Sequence, residues 1–222
     1  MIAAGRVKVD GRIQTRPGHS IDVEAEIEIL SFEKYVSQGG DKLEAALDQF
    51  KLDVAGLVCL DVGASTGGFT DCLLQHGAAK VHAIDVGHEQ LNARLRRHPK
   101  VMVREGLNAR YLQPQDIGEP IDLIVIDVSF ISLKLIFPPL VDLVGANTQI
   151  IALVKPQFEV GKGHLPGDGV VKDEALRQAV LSDIQTFVEA ETPWRVLAEM
   201  QSPVQGEKGN IEFLLQIGQS RG

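Results

Sequence analysis

The feature that most constrains this chain is a short apolar run that ends in an acid and enters a glycine-rich turn. Leu57 to Asp61 is followed by Val62-Gly63-Ala64-Ser65-Thr66-Gly67-Gly68-Phe69. An apolar run of this length reads as a buried strand, and Phe69 to His76 carries apolar residues at helical spacing. A strand that passes through glycines into a helix is the first part of a βαβ unit, whose next strand must lie parallel to the first. The alternation continues downstream. Val81 to Asp85, Val101 to Glu105, Ile121 to Asp127 and Ile150 to Lys155 read as strands, with Trp194 to Gln201 and Ile211 to Ile217 closing the sheet. Asp41 to Phe50, Glu89 to Arg97 and Glu174 to Glu189 read as helices, and Phe158 to Gly169 as a glycine-bearing loop. The segment IDLIVID is apolar almost throughout, as a strand covered on both faces must be. The expected fold is α/β, a doubly wound seven-stranded sheet of the Rossmann-like kind.

The first thirty residues read differently. Val7-Lys8-Val9, Asp10-Gly11 and Arg12-Ile13 form a hairpin signature around a DG turn. Ile21 to Ile29 alternates apolar and polar, which predicts a half-buried strand. Strands this short do not build a core alone. The expected organisation is a small N-terminal β appendage over residues 1–30 and one α/β domain over residues 31–222.

Composition narrows the function classes. The formal net charge is −8, which lacks the overall basic footprint of many nucleic-acid binders. Two local basic groups, Arg6-Lys8-Arg12-Arg16 and Arg94-Arg96-Arg97-Lys100-Arg104, are candidates to neutralise phosphates. No run approaches the ~18 apolar residues of a membrane span, and the first residues lack a signal-peptide core. Cys59 and Cys72 form no metal or redox pattern and read as core residues of a cytoplasmic protein. The six histidines show no ligand spacing, so no metal is expected, and His82, His88 and His98 read as surface residues.

The glycine loop, Gly63 through Gly68 with Phe69 behind it, allows close backbone approach to a ligand. Two carboxylates indicate which ligand. Asp61 lies two residues before Gly63, where it suits the ammonium of an amino acid and would repel a pyrophosphate. Asp85, with Val86 after it, ends the next strand about twenty residues on, where a carboxylate can hold ribose hydroxyls. Asn108, beyond the third strand, is a candidate neighbour for the adenine. An amino acid joined to a nucleoside is S-adenosylmethionine, which these features favour over a dinucleotide.

Four charged residues sit where charge is costly unless used or paired. Asp127 ends the fourth strand, and Lys155 ends the fifth just before Pro156. Glu212 lies in the apolar segment GNIEFLL, and Lys42 follows Gly39-Gly40. Strand C-terminal ends in a doubly wound sheet face the ligand crevice. Methyl transfer to an alcohol needs the alcohol positioned and its proton removed, and a lysine amine in its neutral form can do the second.

Together these segments resemble the lysine–aspartate–lysine–glutamate tetrad of FtsJ-type RNA 2′-O-methyltransferases, and more closely the TlyA family, often labelled haemolysin A. The resemblance is carried by YVSQGGDKL, LDVGASTGGFTDCLL, AIDVGHEQL, VIDVSFISL, LVKPQFEVGKG, GVVKDEALR and GNIEFLL. It implies a class I methyltransferase acting on a cytidine 2′-hydroxyl of ribosomal RNA, with ribosomal subunits as partners. It implies that Lys42, Asp127, Lys155 and Glu212 form the tetrad, with Lys155 as base. The stretch IAAGRVKVDGRIQTRPGHSIDVEAEIEI resembles only the second half of an S4-type RNA-binding domain. The rival readings are a base methyltransferase, a non-catalytic RNA-binding protein and a membrane-active haemolysin. The first would need a proline-rich run after the fourth strand, where Asp127-Val128-Ser129-Phe130 stands, or a cysteine nucleophile near the fourth or fifth strand.

Overall fold

A computed structural model describes residues 2, 7–30, 34–161, 165 and 167–219. Arg6 and part of the 158–169 segment lie outside the described residues. The chain divides into two compact units, Met1–Lys34 and Tyr35–Gly222.

The first unit is a three-stranded antiparallel sheet in the order β2-β1-β3, with β1 Val7–Val9, β2 Arg12–Gln14 and β3 Ile27–Ile29. The DG hairpin forms as expected, with Asp10 and Gly11 both at positive φ. The half-buried strand expected over Ile21–Ile29 does not form at that length. Only Ile27–Ile29 pairs, all three of its residues are exposed, and Val23 is 97% exposed. Alternation specifies a buried face only where a core exists to receive it, and Val7 is the one buried hydrophobic residue described in this unit.

The second unit holds seven strands in the order β6-β5-β4-β7-β8-β10-β9. These are β4 Val58–Val62, β5 Lys80–Asp85, β6 Val101–Glu105, β7 Ile121–Ile126, β8 Val144–Val154, β9 Arg195–Gln201 and β10 Phe213–Gly218. Strands β4 to β8 are parallel, and β10 runs antiparallel between β8 and β9. Successive residues along each strand face opposite sides. Leu60, Val62, Ile124, Ile126, Ile150, Ala152 and Val154 therefore pack on one face, and Cys59, Leu123, Val125, Ile151 and Leu153 on the other. Fully burying an Ile or Leu stabilises by about 1.5–3 kcal/mol, so these central strands anchor the domain.

Helices α1 Gly39–Phe50 and α2 Gly68–Gln75 cover the second face, through Leu43, Ala46, Leu47, Cys72 and Leu73. On the first face lie Val180, Leu181, Ile184 and Val188 of the long helix, Glu174–Glu191, whose start is capped by Asp173. Both cysteines are buried, as expected, and they form no disulfide with each other.

Between these come α3 Ala93–Arg96, α4 Pro114–Ile117, α5 Phe137–Leu140 and α6 Pro156–Glu159, each a single turn; the long helix is α7. The helix expected over Glu89–Arg97 shrinks to α3. The Glu105 carboxylate accepts the backbone N–H groups of Glu89 and Gln90, and Glu89 sits at φ 56°. That capture satisfies donors a helix would otherwise orient along its axis. Phe158 and Glu159, at the start of the expected loop, belong instead to α6. His82 is buried rather than on the surface: Arg104 lies 2.8 Å from its Nδ1 and Glu119 2.8 Å from its Nε2. Desolvation lowers its pKa, which suits a neutral ring accepting from Arg104 and donating to Glu119.

Candidate active site

The strand order reverses at β4, with β5 on one side and β7 on the other, and the crevice opens at the strand C-terminal ends. Alternation along the strands then decides which side chains meet there. Asp61, Asp127 and Lys155 continue the register of Cys59, Val125 and Leu153, so all three emerge on the face covered by α1 and α2. Strand β10 is antiparallel to β8, so its first residue, Phe213, pairs with Val154, the last of β8. Glu212 therefore stands beside the same edge that Lys155 occupies, although 57 residues separate them in the chain (212 − 155).

Lys42 reaches the edge from α1. The starts of α1 and α2 approach so closely that a Cβ on Gly68 would lie 2.9 Å from the Gly40 nitrogen. The Lys42 ammonium donates to Glu212 Oε2 at 2.6 Å, and both side chains are buried. Gln157 of α6 donates to the other Glu212 oxygen at 3.3 Å. The Lys155 ammonium lies 2.5 Å from Asp127 Oδ1 as an ion pair and donates a hydrogen bond to Ser129 Oγ at 3.0 Å. The four expected tetrad residues are thus two ion pairs at one sheet edge. Lys42, Asp127 and Lys155 line a common cleft of about 200 Å³.

A second cavity of about 410 Å³ adjoins it and shares Gly63, Ser65, Asp127 and Ser129 with it. Its wall includes Asp85, Val86 and Asn108, and Ala64, Thr66, Gly68 and Phe69 line the smaller cleft. Gly63 is required where it stands: its φ is 86°, and a Cβ would lie 2.4 Å from the Asp127 carbonyl oxygen. The loop after β4 is thereby pressed against the end of β7. Asp85 accepts the backbone N–H of Ser65 at 2.8 Å and of Gly87 at 2.7 Å, which holds its carboxylate rigidly at the cavity wall.

Two of the residues expected at the cofactor, Gly67 and Asp61, line neither cavity. Gly67, at φ 99°, lies against Leu91 and Leu95. Asp61 is wholly buried behind the loop, where Thr70 donates to one of its oxygens at 2.6 Å. Burial raises its pKa to about 7; the Thr70 hydrogen bond opposes that rise, and the nearby Asp127 carboxylate adds to it.

Sequence reasoning missed three residues around the tetrad. Ser129 contacts Lys155, Gln157 contacts Glu212, and Glu159 clamps the loop after β7 by accepting from Ser132 Oγ at 2.6 Å and from the Leu133 backbone N–H at 2.8 Å. The one signal available was their place within VIDVSFISL and KPQFE, immediately beside Asp127 and Lys155.

The sequence profile of FtsJ-like methyltransferases matches residues 35–219. The chain belongs to this family. Over 217 residues it is 43% identical to the 16S/23S rRNA (cytidine-2′-O)-methyltransferase TlyA of Mycobacterium tuberculosis, covering 97% of this chain and 81% of that protein. It is 40% identical over 215 residues to Hemolysin A of Brachyspira hyodysenteriae, covering 96% and 89%. A solved structure from Streptococcus thermophilus that carries the name of a hemolysin superposes with a TM-score of 0.86 at 41% identity, covering 100% of this chain and 81% of that one. The seven-stranded domain is a class I methyltransferase fold, and the methyl donor is S-adenosylmethionine.

The site fits that donor. The larger cavity has the size of a nucleoside pocket, with a fixed carboxylate at its wall. Among the described residues, Asp61 Oδ1 is a buried carboxylate oxygen without a hydrogen-bond partner, directly behind the loop. The residues that line the two cavities and could contact such a donor are Gly63 to Thr66, Gly68 and Phe69 along the loop, with Asp85, Val86 and Asn108 at the wall of the larger cavity.

Proposed function

We propose that this chain transfers a methyl group from S-adenosylmethionine to the ribose 2′-hydroxyl of a cytidine in ribosomal RNA, with Lys155 as the base and ribosomal subunits in the cytoplasm as its partners. The observation that carries this reading is the pair of lysine–carboxylate contacts, Lys155–Asp127 and Lys42–Glu212, whose lysines line the smaller cleft while Asp127 lines both cavities. The relative from Mycobacterium tuberculosis and one from Campylobacter jejuni, 37% identical over 191 residues, are both named rRNA (cytidine-2′-O)-methyltransferases.

S-adenosylmethionine supplies an electrophilic methyl group on a sulfonium, and displacement there is in line. The chain provides the rest. The backbone of Gly63 to Gly68 and the Asp85 carboxylate fix one partner. The cleft beside Lys42, Asp127 and Lys155 receives the other. Lys155 Nζ, as the neutral amine, takes the 2′-hydroxyl proton while Asp127 holds that nitrogen in place. Lys42, paired with Glu212, stabilises the oxygen as its negative charge develops. The 1–30 region, with Lys8, Arg12 and Arg16 among its described residues, acts as a partial S4-like contact to RNA phosphates.

A membrane-active haemolysin is the second reading, kept because one relative bears that name. Among the described residues no helix is long and apolar enough to cross a membrane. The test is transfer of labelled methyl to purified ribosomal subunits by the wild type and by Lys155→Ala. The expected result is label at a cytidine 2′-oxygen, reduced about 10²–10⁴-fold in the variant, with cofactor affinity retained. Label on a base, or full activity in Lys155→Ala, would sink this reading.

A further inference from the structure

Ser129 belongs to none of the four tetrad positions, yet it is one of the few side chains lining both cavities. Its hydroxyl accepts a hydrogen bond from Lys155 Nζ at 3.0 Å, while Asp127 Oδ1 lies 2.5 Å from the same nitrogen. A neutral lysine amine has two N–H bonds and one lone pair. Ser129 Oγ holds one N–H, while the Asp127 carboxylate lies against the nitrogen as an ion-pair partner without an aligned hydrogen bond; both come from the end of β7. The Phe158 ring flanks the nitrogen, its centroid 6.0 Å away. With that N–H held, the rotation of the amine is restricted, and its lone pair can be turned into the cleft that Lys155 lines.

The segment bearing Ser129 is itself held firmly. The next residue, Phe130, sits at φ 63°, a left-handed conformation unusual for an aromatic residue. Its ring meets Phe158 of α6 with centroids 4.8 Å apart. Three residues beyond Ser129, the Glu159 carboxylate fastens Ser132 and Leu133. Strain of this kind persists only where neighbouring contacts over-determine it. Here it fixes the loop that presents the Ser129 hydroxyl.

We propose that Ser129 is a positioning residue for the methyl transfer: its hydroxyl fixes the rotation of the Lys155 amine, so that the lone pair, rather than an N–H, meets the acceptor hydroxyl. This rests on the proposed role of Lys155 as base. Lone-pair direction matters only in the step that moves the proton, so the effect belongs to kcat and not to cofactor binding.

The test compares wild type, Ser129→Ala and Ser129→Thr in methyl transfer to ribosomal subunits, with cofactor affinity measured by calorimetry. Ser129 is exposed, so all three are expected to melt together. The Ala variant should lose about tenfold in kcat, about 1.4 kcal/mol of barrier, with the cofactor Kd unchanged, and Thr should restore most of the loss. A second readout needs no turnover. Trace acetylation of Lys155 in the cofactor-free protein, read by peptide mass spectrometry, should be a few-fold faster in Ser129→Ala and return toward wild type in Ser129→Thr. Wild-type kcat in the Ala variant, equal losses in Ala and Thr, or a loss confined to cofactor affinity would each overturn the role of Ser129 while leaving that of Lys155 standing. Failure of the wild type to methylate RNA at all would overturn the proposed function, and the role of Ser129 with it.

Discussion

The two sides of the site are built by different means. The side proposed for the cofactor is mainly backbone: one continuous loop, Gly63 to Phe69, shaped by glycines and steadied by the Asp85 carboxylate. The side proposed for the acceptor is side chains alone, brought from α1, the ends of β7 and β8 and the start of β10 and joined as Lys42–Glu212 and Lys155–Asp127. A backbone cradle tolerates many side-chain changes but no change in its φ angles. A set of buried charges tolerates paired replacement but not the loss of one member. The difference also separates what each side contributes to stability, since only the acceptor side buries a complete ion pair.

The largest effect should come from breaking that pair. Lys42→Ala leaves Glu212 buried without its cation and should cost about 3–5 kcal/mol in denaturant unfolding. The double variant Lys42→Met/Glu212→Met should recover most of that stability while remaining inactive. If the single and double variants are equally unstable, the pair is not the reason for the loss.

Next is Asp61, on the cofactor side. Its folded pKa near 7 lies above the ordinary carboxylate value, so the folded state holds this proton more tightly than the unfolded chain. Below pH ~4 both states are protonated and the group costs nothing. Between about 4 and 7 stability falls as pH rises, and above 7 the cost is constant, on the order of a few kcal/mol. Asp61→Asn should therefore match wild type near pH 4 and exceed it in melting temperature at pH 8 without cofactor. A difference that does not vary with pH would mean that Asp61 does not titrate in the folded protein.

Gly63→Ala should cost about 1–3 kcal/mol from the left-handed backbone and should also weaken cofactor binding, because the new Cβ meets the Asp127 carbonyl. Calorimetry reads both, and unchanged cofactor affinity would show that the β4–β7 approach is not needed for the cradle. The smallest effect is expected at Glu159→Gln, which keeps one of the two clamping hydrogen bonds and weakens the other. A loss of about 1 kcal/mol is expected in thermal unfolding. Burial raises the Glu159 pKa, with the Ser132 hydrogen bond opposing it, so the glutamine is not penalised by desolvation.

This contrast also explains how much could be read in advance. The cofactor side was legible because its residues are contiguous and its glycines mark a backbone bend. The order of the α/β elements was legible because apolar strands and periodic helices differ in pattern over ten or more residues. The tetrad residues stood out one at a time, as charges in apolar surroundings, and the family resemblance grouped them. Their pairing was not legible. That Lys42 meets Glu212 and not Asp127 depends on β10 lying beside β8 and on α1 crossing above that edge. The expected strand over Ile21–Ile29 and helix over Glu89–Arg97 failed for the opposite reason. Local pattern pointed to each, but in one case no core was present to receive it, and in the other a carboxylate 16 residues away in sequence, Glu105, captured its backbone donors.

By itself, then, the amino-acid sequence determined the αβ alternation, the glycine cradle after β4 and the charged residues at the strand ends, because each arises from neighbours along the chain. The tertiary structure alone decided which charges pair, that Asp61 is sealed behind the loop rather than facing a cavity, and that Ser129, Gln157 and Glu159 support the acceptor side. Those outcomes turn on strand order, on an antiparallel insertion and on burial. These are long-range properties, set by which apolar faces pack together and not by the spacing of residues along the chain.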